Sequence, residues 1–502
     1  MAATRPPDTL VSWIAAVVRA QGSRPALCCD GDVWSYRELW ERAAAVARHL
    51  LHDRGLTPGD RVGLVGENDP RYIAAYLGIL RAGCTAVPLN AMLDVPTMQE
   101  QVELVGARTV IVGAVADDIR DGLGHLLPVL PIGDFPESGS GYLPTLGAKT
   151  PACILLTSGS TGQPKGVVHS QGTLLHAALQ LGSCFPFGPS DRGISFLPLF
   201  AAIPEQVLPT LCTGGSLDIL PRFDPERIAL AARDATTFDA VPTIIARLLE
   251  HGAGDALRQL KWIMFASEPM PVALLQRWWD SVPGVETHQL YGMTEVLPMT
   301  FACDALLRLE PATVGVQFPT SRLHALDADG VEIRDGSDGE LVCNSPAMML
   351  GYYGDDEATQ ATKAADGSML TGDLGRIDEL GRAFLTGRLK DIIISGGLNV
   401  APAEIEAVAC RHPGIAAAAV VGIPDARWGE TPVVVAVPSR GNGHTIDAHE
   451  VLSHCRTELV SFKRPSAAAL IDTLPSTGIG KSAKAVIRQQ ILDGVISLVY
   501  AK

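Results

Sequence analysis

Residues 61–112 read RVGLVGENDPRYIAAYLGILRAGCTAVPLNAMLDVPTMQEQVELVGARTVIV, and this stretch decides the fold class. Short apolar segments alternate in it with segments whose apolar residues recur at helical spacing. The predicted strands are 61–65, 86–89 and 109–112, and the predicted helices between them are 69–81 and 97–105. Because alternation of this kind is typical of parallel, doubly wound sheets, the sequence predicts an α/β fold.

The same alternation returns later in the chain, and two further regions differ from it. Further strands of the α/β pattern are predicted at 237–241, 262–266 and 287–290. Over about 313–387, Asp-Gly turns separate short strands, which indicates antiparallel β structure. Residues 391–502 have the pattern of a compact α+β domain. We therefore predict a large domain over 1–388, which includes the β-rich subdomain, followed by a small domain.

Composition excludes several classes of protein. The 502 residues include 40 Lys and Arg against 55 Asp and Glu, a net charge of −15. This argues against binding to nucleic acid, because phosphate contacts need clustered basic residues. Ten scattered cysteines without a Cys-x-x-Cys pair indicate neither a zinc ribbon nor a redox pair, and they suit a reducing compartment. The run 415–423, among the longest apolar runs, is too short to span a bilayer, so we expect a cytoplasmic protein.

Residues 152–170, ACILLTSGSTGQPKGVVHS, contain the strongest local signal. An apolar segment leads into a loop rich in glycine and hydroxyl residues. Glycines let backbone N–H groups converge on an anion, the hydroxyls add donors, and a lysine adds a mobile charge. The loop predicts a phosphate site, with a polar surface turn as the alternative. The candidate residues are Thr157, Ser158, Gly159, Ser160, Thr161, Gly162 and Lys165.

A second motif, YGMTE at 291–295, follows a predicted strand. Open α/β sheets place ligands beyond the carboxyl ends of their strands, so the position is informative. Tyr291 offers an aromatic face to a base, Thr294 a hydroxyl to a phosphate, and Glu295 a carboxylate to Mg²⁺. A loop without a ligand is the alternative.

Three residues nearer the C-terminus complete the candidate set. Asp373, in the run LTGD, suits the two hydroxyls of a ribose, and Arg388, in GRLKD, suits the same sugar or a phosphate. A structural ion pair between them is the alternative. Lys481 lies on a glycine-flanked loop, LPSTGIGK, where a solvated surface lysine is the other interpretation.

In this order, the motifs resemble the adenylate-forming superfamily, in its branch of acyl- and aryl-CoA synthetases. The resemblance runs from near Leu10 through Lys481 and includes GELVCNSPAMMLGYYGDDEAT at 339–359 and SGGLNVAPAEIE at 395–406. It implies an enzyme that uses ATP and Mg²⁺ to activate a carboxylic acid as acyl-AMP and then forms a thioester with coenzyme A. It also implies a mobile C-terminal domain that caps the site, with the hinge at Lys390.

The resemblance implies a role for each candidate residue. The loop 157–165 would hold the ATP phosphates, Thr294 the α-phosphate, and Glu295 the Mg²⁺. Adenine would lie against Ala266, Ser267, Glu268 and Pro269 with Tyr291 stacking on it, and Asp373 and Arg388 would hold the ribose. Lys481 would bridge the carboxylate and the α-phosphate, and Gly396 and Gly397 would face the pantetheine arm of CoA. The acyl pocket would be formed by Phe200, Ala201, Ala202, Gly292 and Met293. His169 and His288 are expected to be structural, because the reaction needs no general base.

The acyl pocket departs from the family pattern. Ala201 stands where many acyl-CoA synthetases have a histidine and roughly where amino-acid-activating domains have an aspartate. We therefore expect no α-amino acid, and the small residues at 201 and 202 predict a bulky apolar acid.

Ser368 and the pair Val316-Gln317 also differ from common family residues. They leave open a partial or redirected reaction, either thioesterification of a preformed acyl-AMP or loading of a carrier-protein phosphopantetheine. A non-catalytic nucleotide-binding protein is a third option, and the sequence leaves open whether the chain forms a homodimer.

Overall fold

A computed structural model of the chain describes residues 7–135, 141–158, 164–268, 270–439, 446–475 and 484–501. In this part of the chain helices alternate with parallel strands, and an antiparallel region and a separate C-terminal sheet follow. The predicted α/β fold class is confirmed.

The first part of the chain closely follows the predicted alternation. Its elements are α1 (Leu10–Gln21), β1 (Pro25–Cys29), β2 (Asp32–Ser35), α2 (Tyr36–Arg48), β3 (Arg61–Val65), α3 (Pro70–Arg81), β4 (Thr85–Pro88), α4 (Val95–Leu104), β5 (Thr109–Val112), α5 (Asp117–Gly124), β6 (Val129–Pro131), β7 (Pro151–Ser158), β8 (Pro164–Ser170) and α6 (Gln171–Cys184). Helix α4 starts two residues before its predicted start, because Asp94 accepts a hydrogen bond from the backbone N–H of Thr97 and Pro96 fits the first turn.

The second part again alternates strands and helices. Its elements are β9 (Arg192–Ser195), α7 (Leu199–Ala202), α8 (Leu208–Thr213), β10 (Ser216–Ile219), α9 (Pro225–Ala231), β11 (Thr237–Ala240), α10 (Pro242–Glu250), α11 (Gly254–Leu257), β12 (Trp262–Phe265), α12 (Val272–Ser281), β13 (Glu286–Met293), β14 (Val296–Ala302) and α13 (Asp304–Leu309). π-Helical turns extend α2 over His49–Asp53 and join α7 to α8 over Ile203–Val207.

The remaining elements are mainly strands. They are β15 (Gly315–Gln317), β16 (Arg322–Leu326), β17 (Glu332–Ile333), β18 (Gly339–Asn344), β19 (Gly351–Tyr352), α14 (Asp356–Ala361), β20 (Met369–Ile377), β21 (Arg382–Arg388), β22 (Ile393–Ser395), β23 (Leu398–Val400), α15 (Pro402–Ala409), β24 (Ile415–Asp425), β25 (Gly429–Pro438), α16 (Ala448–Glu458), β26 (Ala467–Leu470), α17 (Lys484–Leu492) and β27 (Val499–Tyr500). Short 3₁₀ turns lie at Leu389–Asp391 and Ser461–Lys463.

The described strands form three sheets. The first has the order β19-β8-β7-β4-β3-β5-β6, and the second has the order β17-β16-β18-β20-β21-β15-β14-β13-β12-β11-β9-β10-β1-β2. In the second sheet the pairs from β13 to β1 are parallel, and those from β14 to β17 are antiparallel, as predicted for the β-rich region. The third has the order β23-β22-β25-β26-β27, with β24 paired to β25.

Helices α2 and α3 pack closely against each other. Gly78 in α3 approaches α2 so closely that an added Cβ would lie 2.6 Å from the Cβ of Val46. A side chain at this position would therefore push the helices apart. Around this contact the helices and β3 share one apolar core with β1 and β10.

In the described part of the chain, no helix has both the length and the apolar character needed to cross a membrane.

Candidate active site

Tyr291, Asp373 and Arg388, which we predicted to contact the nucleoside, meet in one cluster. Strands β20 and β21 place Asp373 opposite Arg388 in antiparallel register, and Arg388 Nε lies 2.8 Å from Asp373 Oδ1. The Tyr291 hydroxyl donates to Asp373 Oδ2 at 2.7 Å. The carboxylate is 6% exposed and the guanidinium side chain 47% exposed, so the cluster opens to solvent on the arginine side.

Tyr291 is a hydrogen-bond donor at every physiological pH. Burial, and secondarily the adjacent Asp373 carboxylate, raises the pKa of Tyr291 well above its ordinary value. The phenol therefore stays protonated and fixes one carboxylate oxygen while Arg388 fixes the other. The ion pair that the sequence offered as an alternative is present, and it has a third member.

The turn before Asp373 is itself held by hydrogen bonds. The Thr371 hydroxyl donates to Leu341 O at 2.6 Å and accepts from the Asp373 backbone N–H at 3.0 Å. Gly372 has a φ of +68°, a conformation that favours glycine, and its N–H donates to Glu340 Oε1 at 2.9 Å. These hydrogen bonds fix the conformation of the run LTGD and thereby orient the Asp373 carboxylate. Asp373 lies within β20, where it pairs directly with Arg388 of β21.

The motif YGMTE is not the loop that we predicted. Strand β13 continues through Met293 because β14 follows immediately and pairs with it, with Tyr291 opposite Thr300 and Met293 opposite Val296. Thr294 and Glu295 form the turn between the two strands. The strand pair thus fixes where the hydroxyl and the carboxylate lie.

Lys165 and Glu295, the predicted phosphate cation and metal ligand, converge on Tyr352. Lys165 Nζ lies 4.7 Å from the centroid of the Tyr352 ring, and the Tyr352 hydroxyl donates to Glu295 Oε1 at 2.7 Å. A cation over an aromatic face is attracted by the ring, so one side chain orients both charged groups.

Strand pairing explains why these residues meet. β19 pairs with β8, with Tyr352 opposite Val167, and the Met349 N–H donates to Glu295 O at 2.8 Å. The segment before β19 thus joins β8 to the β13–β14 turn. Tyr352 was missed as a functional residue, although its tyrosine pair lies in a stretch, 339–359, that carried the family resemblance.

His169 supports Thr294 through a hydrogen bond to its backbone carbonyl. The imidazole is fully buried, and its Nε2 lies 2.7 Å from Thr294 O. Burial lowers the pKa of His169 to about 4, so the ring is neutral near pH 7. Because a carbonyl oxygen only accepts, Nε2 carries the proton. His169 is therefore a structural histidine that supports a predicted site residue.

The predicted adenine segment follows β12. Ser267 has a φ of +72°, which is rare for a residue with a side chain. Glu268 Oε2 accepts from the Thr243 hydroxyl at 2.8 Å and from its backbone N–H at 3.3 Å. This contact ties the segment to the first turn of α10. Pro269 lies outside the described residues.

A small cavity of about 30 Å³ lies beside this segment. Its lining residues are Leu197, Ala202, Glu205, Gln206, Asp239, Ala240, Val241, Met264, Ala266 and Ser267. Ala202 is the member of the predicted acyl pocket that lines it. Phe200, Ala201, Gly292 and Met293 do not line this cavity. Sequence reasoning missed Glu205, Gln206 and Asp239, although a lone charge in the apolar stretch TTFDAV was a signal.

Several other predicted residues lie outside the described chain or at its surface. Gly159, Ser160, Thr161, Gly162 and Lys481 are outside the described residues, as is the side chain of Ser158. Thr157 lies on β7 opposite Lys165 on β8. Lys390 is exposed in a 3₁₀ turn. Gly396 and Gly397 form the two-residue turn of the β22–β23 hairpin, with φ of +60° and +79°, as a type I′ turn requires.

The residues at Glu295 fit a magnesium ion that is held mainly by substrate phosphates. Over the described ranges no group of three or more His, Cys, Asp and Glu side chains could hold a metal ion. Mg²⁺ commonly takes one or two protein carboxylates together with phosphate oxygens and water. The half-buried Glu295 carboxylate meets that need, with Oε1 oriented by Tyr352, whose ring also contacts Lys165.

Comparisons with known proteins agree with this geometry. A family model described as AMP-binding enzyme matches residues 14–353, and one described as AMP-binding enzyme C-terminal domain matches residues 404–481. The chain is 33% identical to a feruloyl-CoA synthase of an Amycolatopsis species over 96% of this chain and 99% of that protein. It is 32% identical to an indoleacetate–CoA ligase of Aromatoleum aromaticum over 96% of this chain and 98% of that protein.

A solved structure is also similar over nearly the whole chain. ATP-bound MatB from Rhodopseudomonas palustris superposes with a TM-score of 0.89 at 30% identity and covers 96% of this chain and 99% of that one. ATP and coenzyme A are substrates in this family. The chain therefore belongs to the AMP-binding enzymes, in the acyl- and aryl-CoA synthetase branch of the adenylate-forming superfamily, and it is an AMP-forming acid–CoA ligase.

Proposed function

We propose that this ligase uses Mg²⁺ and ATP to activate a bulky acid with a largely apolar body, and that free coenzyme A accepts the acyl group. The observation that carries the proposal is the convergence of Lys165 and Glu295 on Tyr352. It joins a cation and a metal-binding carboxylate beside the predicted phosphate loop. The relatives named for ferulate and indoleacetate support a ring-bearing acid.

The nucleoside would bind at the cluster of Tyr291, Asp373 and Arg388. A carboxylate with two oxygens accepts from both hydroxyls of a ribose, and the tyrosine and arginine hold it in one orientation. Because that orientation exists before binding, little ordering cost falls on ATP. The adenine would lie against Ala266, Ser267 and Glu268, whose path Thr243 fixes.

In the first half-reaction, a carboxylate oxygen of the acid attacks the α-phosphorus of ATP. The bond from that phosphorus to the bridging oxygen breaks, and pyrophosphate leaves with the electron pair. Negative charge accumulates around phosphorus, so positioned cations and donors lower the barrier. We assign these roles to Lys165, Lys481 and the Thr294 hydroxyl, with His169 as the positioning residue for Thr294. Bound at Glu295, Mg²⁺ would supply charge neutralisation for the phosphates.

In the second half-reaction, the thiolate of coenzyme A attacks the acyl carbon of the adenylate. The carbon–oxygen bond to AMP breaks, and AMP leaves. We assign Lys390 as the hinge about which residues 391–502 turn, and the tight turn at Gly396 and Gly397 as the wall of the pantetheine channel. A second function of the same domain is to keep water from the mixed anhydride.

A panel of carboxylic acids tests the proposal. Each acid is incubated with ATP, Mg²⁺ and coenzyme A, and mass spectrometry follows acyl-AMP and acyl-CoA together. We expect ring-bearing acids to give both products, and chelation of Mg²⁺ to abolish them. Lys481→Ala should abolish acyl-AMP formation from ATP while a synthetic acyl-AMP still yields the thioester. Lys484→Ala is the matched control, because Lys484 instead pairs with Glu406 at 2.7 Å.

Three results would contradict the proposal. Thioester formation with a holo carrier protein but not with coenzyme A would identify a loading enzyme. Thioester formation from acyl-AMP but never from ATP would identify a partial reaction. Acetate or benzoate outperforming larger acids would refute the bulky substrate.

A further inference from the structure

The cavity beside β11 combines apolar walls with hydrogen-bond acceptors. Six of its lining residues are apolar: Leu197, Ala202, Ala240, Val241, Met264 and Ala266. Against these stand the side chains of Asp239 on β11 and of Glu205 and Gln206 in the π-helical turn. π-Helical turns are frequent at functional sites because they re-aim side chains. Here the turn directs two polar residues to one cavity.

Asp239 is a buried carboxyl group, and one of its oxygens has no described hydrogen-bond donor. The residue is 6% exposed, and among the described residues Oδ2 has no hydrogen-bond partner. Burial, and secondarily the negative charge of Glu205, raises the pKa of Asp239 well above its ordinary value. Because a buried acceptor without a donor lowers stability, such groups in native proteins need an explanation.

Gln206 presents a second acceptor to the same cavity. Its Nε2 donates to Ile194 O at 3.0 Å, and this bond leaves Oε1 as the acceptor of the side chain. The residue is 3% exposed, and Oε1 also has no partner in the part of the chain that the structure describes. Asp239 Oδ2 and Gln206 Oε1 are thus two buried oxygens on different elements, and neither has a described hydrogen-bond donor.

The size and charge of the cavity limit what can supply that donor. About 30 Å³ admits a group the size of one water molecule, such as a hydroxyl or an ammonium. None of the described lining residues is a lysine or arginine, so a carboxylate buried there would lose its hydration without gaining a cation. The reacting carboxylate of the acid therefore belongs elsewhere, and the cavity suits the opposite end of the substrate.

We propose that Asp239 and Gln206 select acids that carry a hydrogen-bond donor, a hydroxyl or an amino group, remote from the reacting carboxylate. The inference rests on the proposed function and names its substrate class. The donor-bearing end of the acid enters between the apolar walls, and the two acceptors receive the donor. A site built to hydrogen-bond a substrate donor discriminates strongly against an analogue without it, because its own buried groups are then left unpaired.

The test uses a ring-bearing acid that the panel shows to be converted, in three forms of similar size. One form carries a distal hydroxyl, one an aliphatic amino group and one a methyl group. For wild-type enzyme we expect kcat/KM for a donor-bearing acid to exceed that for the methyl acid by about 10- to 100-fold. In Asp239→Leu this preference should vanish or reverse.

Asp239→Asn distinguishes the two donors. It keeps an acceptor oxygen but cannot ionise beside an ammonium group, so it should retain the hydroxyl acid within about threefold and lose the ammonium acid. Thr237→Val is the matched control. Thr237 is a buried polar residue on the same strand, its Oγ1 also has no described partner, and it does not line the cavity. The Thr237→Val variant should prefer donor-bearing acids over the methyl acid to the same degree as the wild type.

Equal methyl-to-hydroxyl ratios in wild type and Asp239→Leu would overturn the inference, even with full ligase activity. If no acid is converted, the proposed function fails instead, and melting temperatures decide the inference. Asp239→Leu should raise the melting temperature relative to Thr237→Val, because it removes an unpaired buried carboxyl. A fall would show that the carboxyl is satisfied within the protein or by ordered water only, and would overturn the inference.

Discussion

The nucleotide side and the acyl side of this site treat buried polar groups in opposite ways. On the nucleotide side, Asp373 has a tyrosine on one oxygen and an arginine on the other, and His169 donates to the Thr294 carbonyl. On the acyl side, Asp239 and Gln206 have buried oxygens without described partners.

This contrast between the two sides corresponds to a contrast between their ligands, because one ligand is common to the family and the other varies. ATP is the same for all enzymes of this family, so its residues can be held rigidly by the protein itself. The acid differs between relatives, and the polar groups that recognise it gain their partner only from the substrate. Stability and specificity thus conflict at Asp239 but coincide at Asp373.

Acid titration gives the largest expected contrast. The folded state holds His169 neutral with a pKa of about 4, whereas an unfolded histidine binds a proton near pH 6.5. The free energy of unfolding should therefore fall by about 3 kcal/mol as the pH drops from 6.5 to 4. Protonation of Asp239 changes the free energy of unfolding in the opposite direction. Its raised pKa means that the folded state binds the extra proton, so above pH 3.8 acid favours folding through this group.

Denaturant unfolding at pH 4.5 and 7 measures both effects. His169→Gln, which keeps a donor for Thr294, should flatten the profile, and Asp239→Asn should steepen it. A His169→Gln profile identical to that of the wild type would show that the imidazole does not stay neutral.

Asp373→Asn should have the next largest effect. It removes the charge that pairs with Arg388, and we expect a loss of about 2 kcal/mol in stability and a rise of about 30-fold in the KM for ATP. Asp378→Asn is the control. Asp378 pairs with Arg382 at 2.7 Å at the other end of β20 and should leave the KM unchanged. Similar KM values for ATP in the two variants would show that Asp373 has no particular role in binding the nucleotide.

Tyr352→Phe should have the smallest effect of the three. It keeps the ring beneath Lys165 and removes only the hydrogen bond to Glu295, which costs about 1 kcal/mol. The Mg²⁺ concentration for half-maximal activity should rise about fivefold, because a freer carboxylate binds less well. Tyr353→Phe, beside Arg61, is the control. An unchanged Mg²⁺ requirement in Tyr352→Phe would exclude a role in orienting Glu295.

Residues within contiguous motifs were predictable from the sequence, and a residue whose role depends only on the pairing of distant strands was not. The runs YGMTE, LTGD and GRLKD contain Tyr291, Asp373 and Arg388, which the structure brings together, although the strands that hold these runs in place lie outside them. Tyr352 acquires its role only through the pairing of β19 with β8, which lie far apart in the chain.

Errors at element boundaries have a related cause. The strand character of Tyr291 to Met293 depends on β14, which supplies the partner backbone immediately afterwards. Asp239 reads as one polar residue in an apolar strand, and its burial beside Glu205 is set by packing of the π-helical turn on β11. Pattern alone does not encode such tertiary packing.

The parallel pairing of β1 with β10 has a consequence for synthesis on the ribosome. β1 ends at Cys29 and β10 begins at Ser216, and Leu27 lies opposite Leu217. At about 5–20 residues per second, the partner strand emerges roughly 10–40 s after β1. Throughout that interval the nascent chain carries an unfinished sheet edge with Leu27 uncovered, so chaperone protection should matter while residues 29 to 219 are being synthesised.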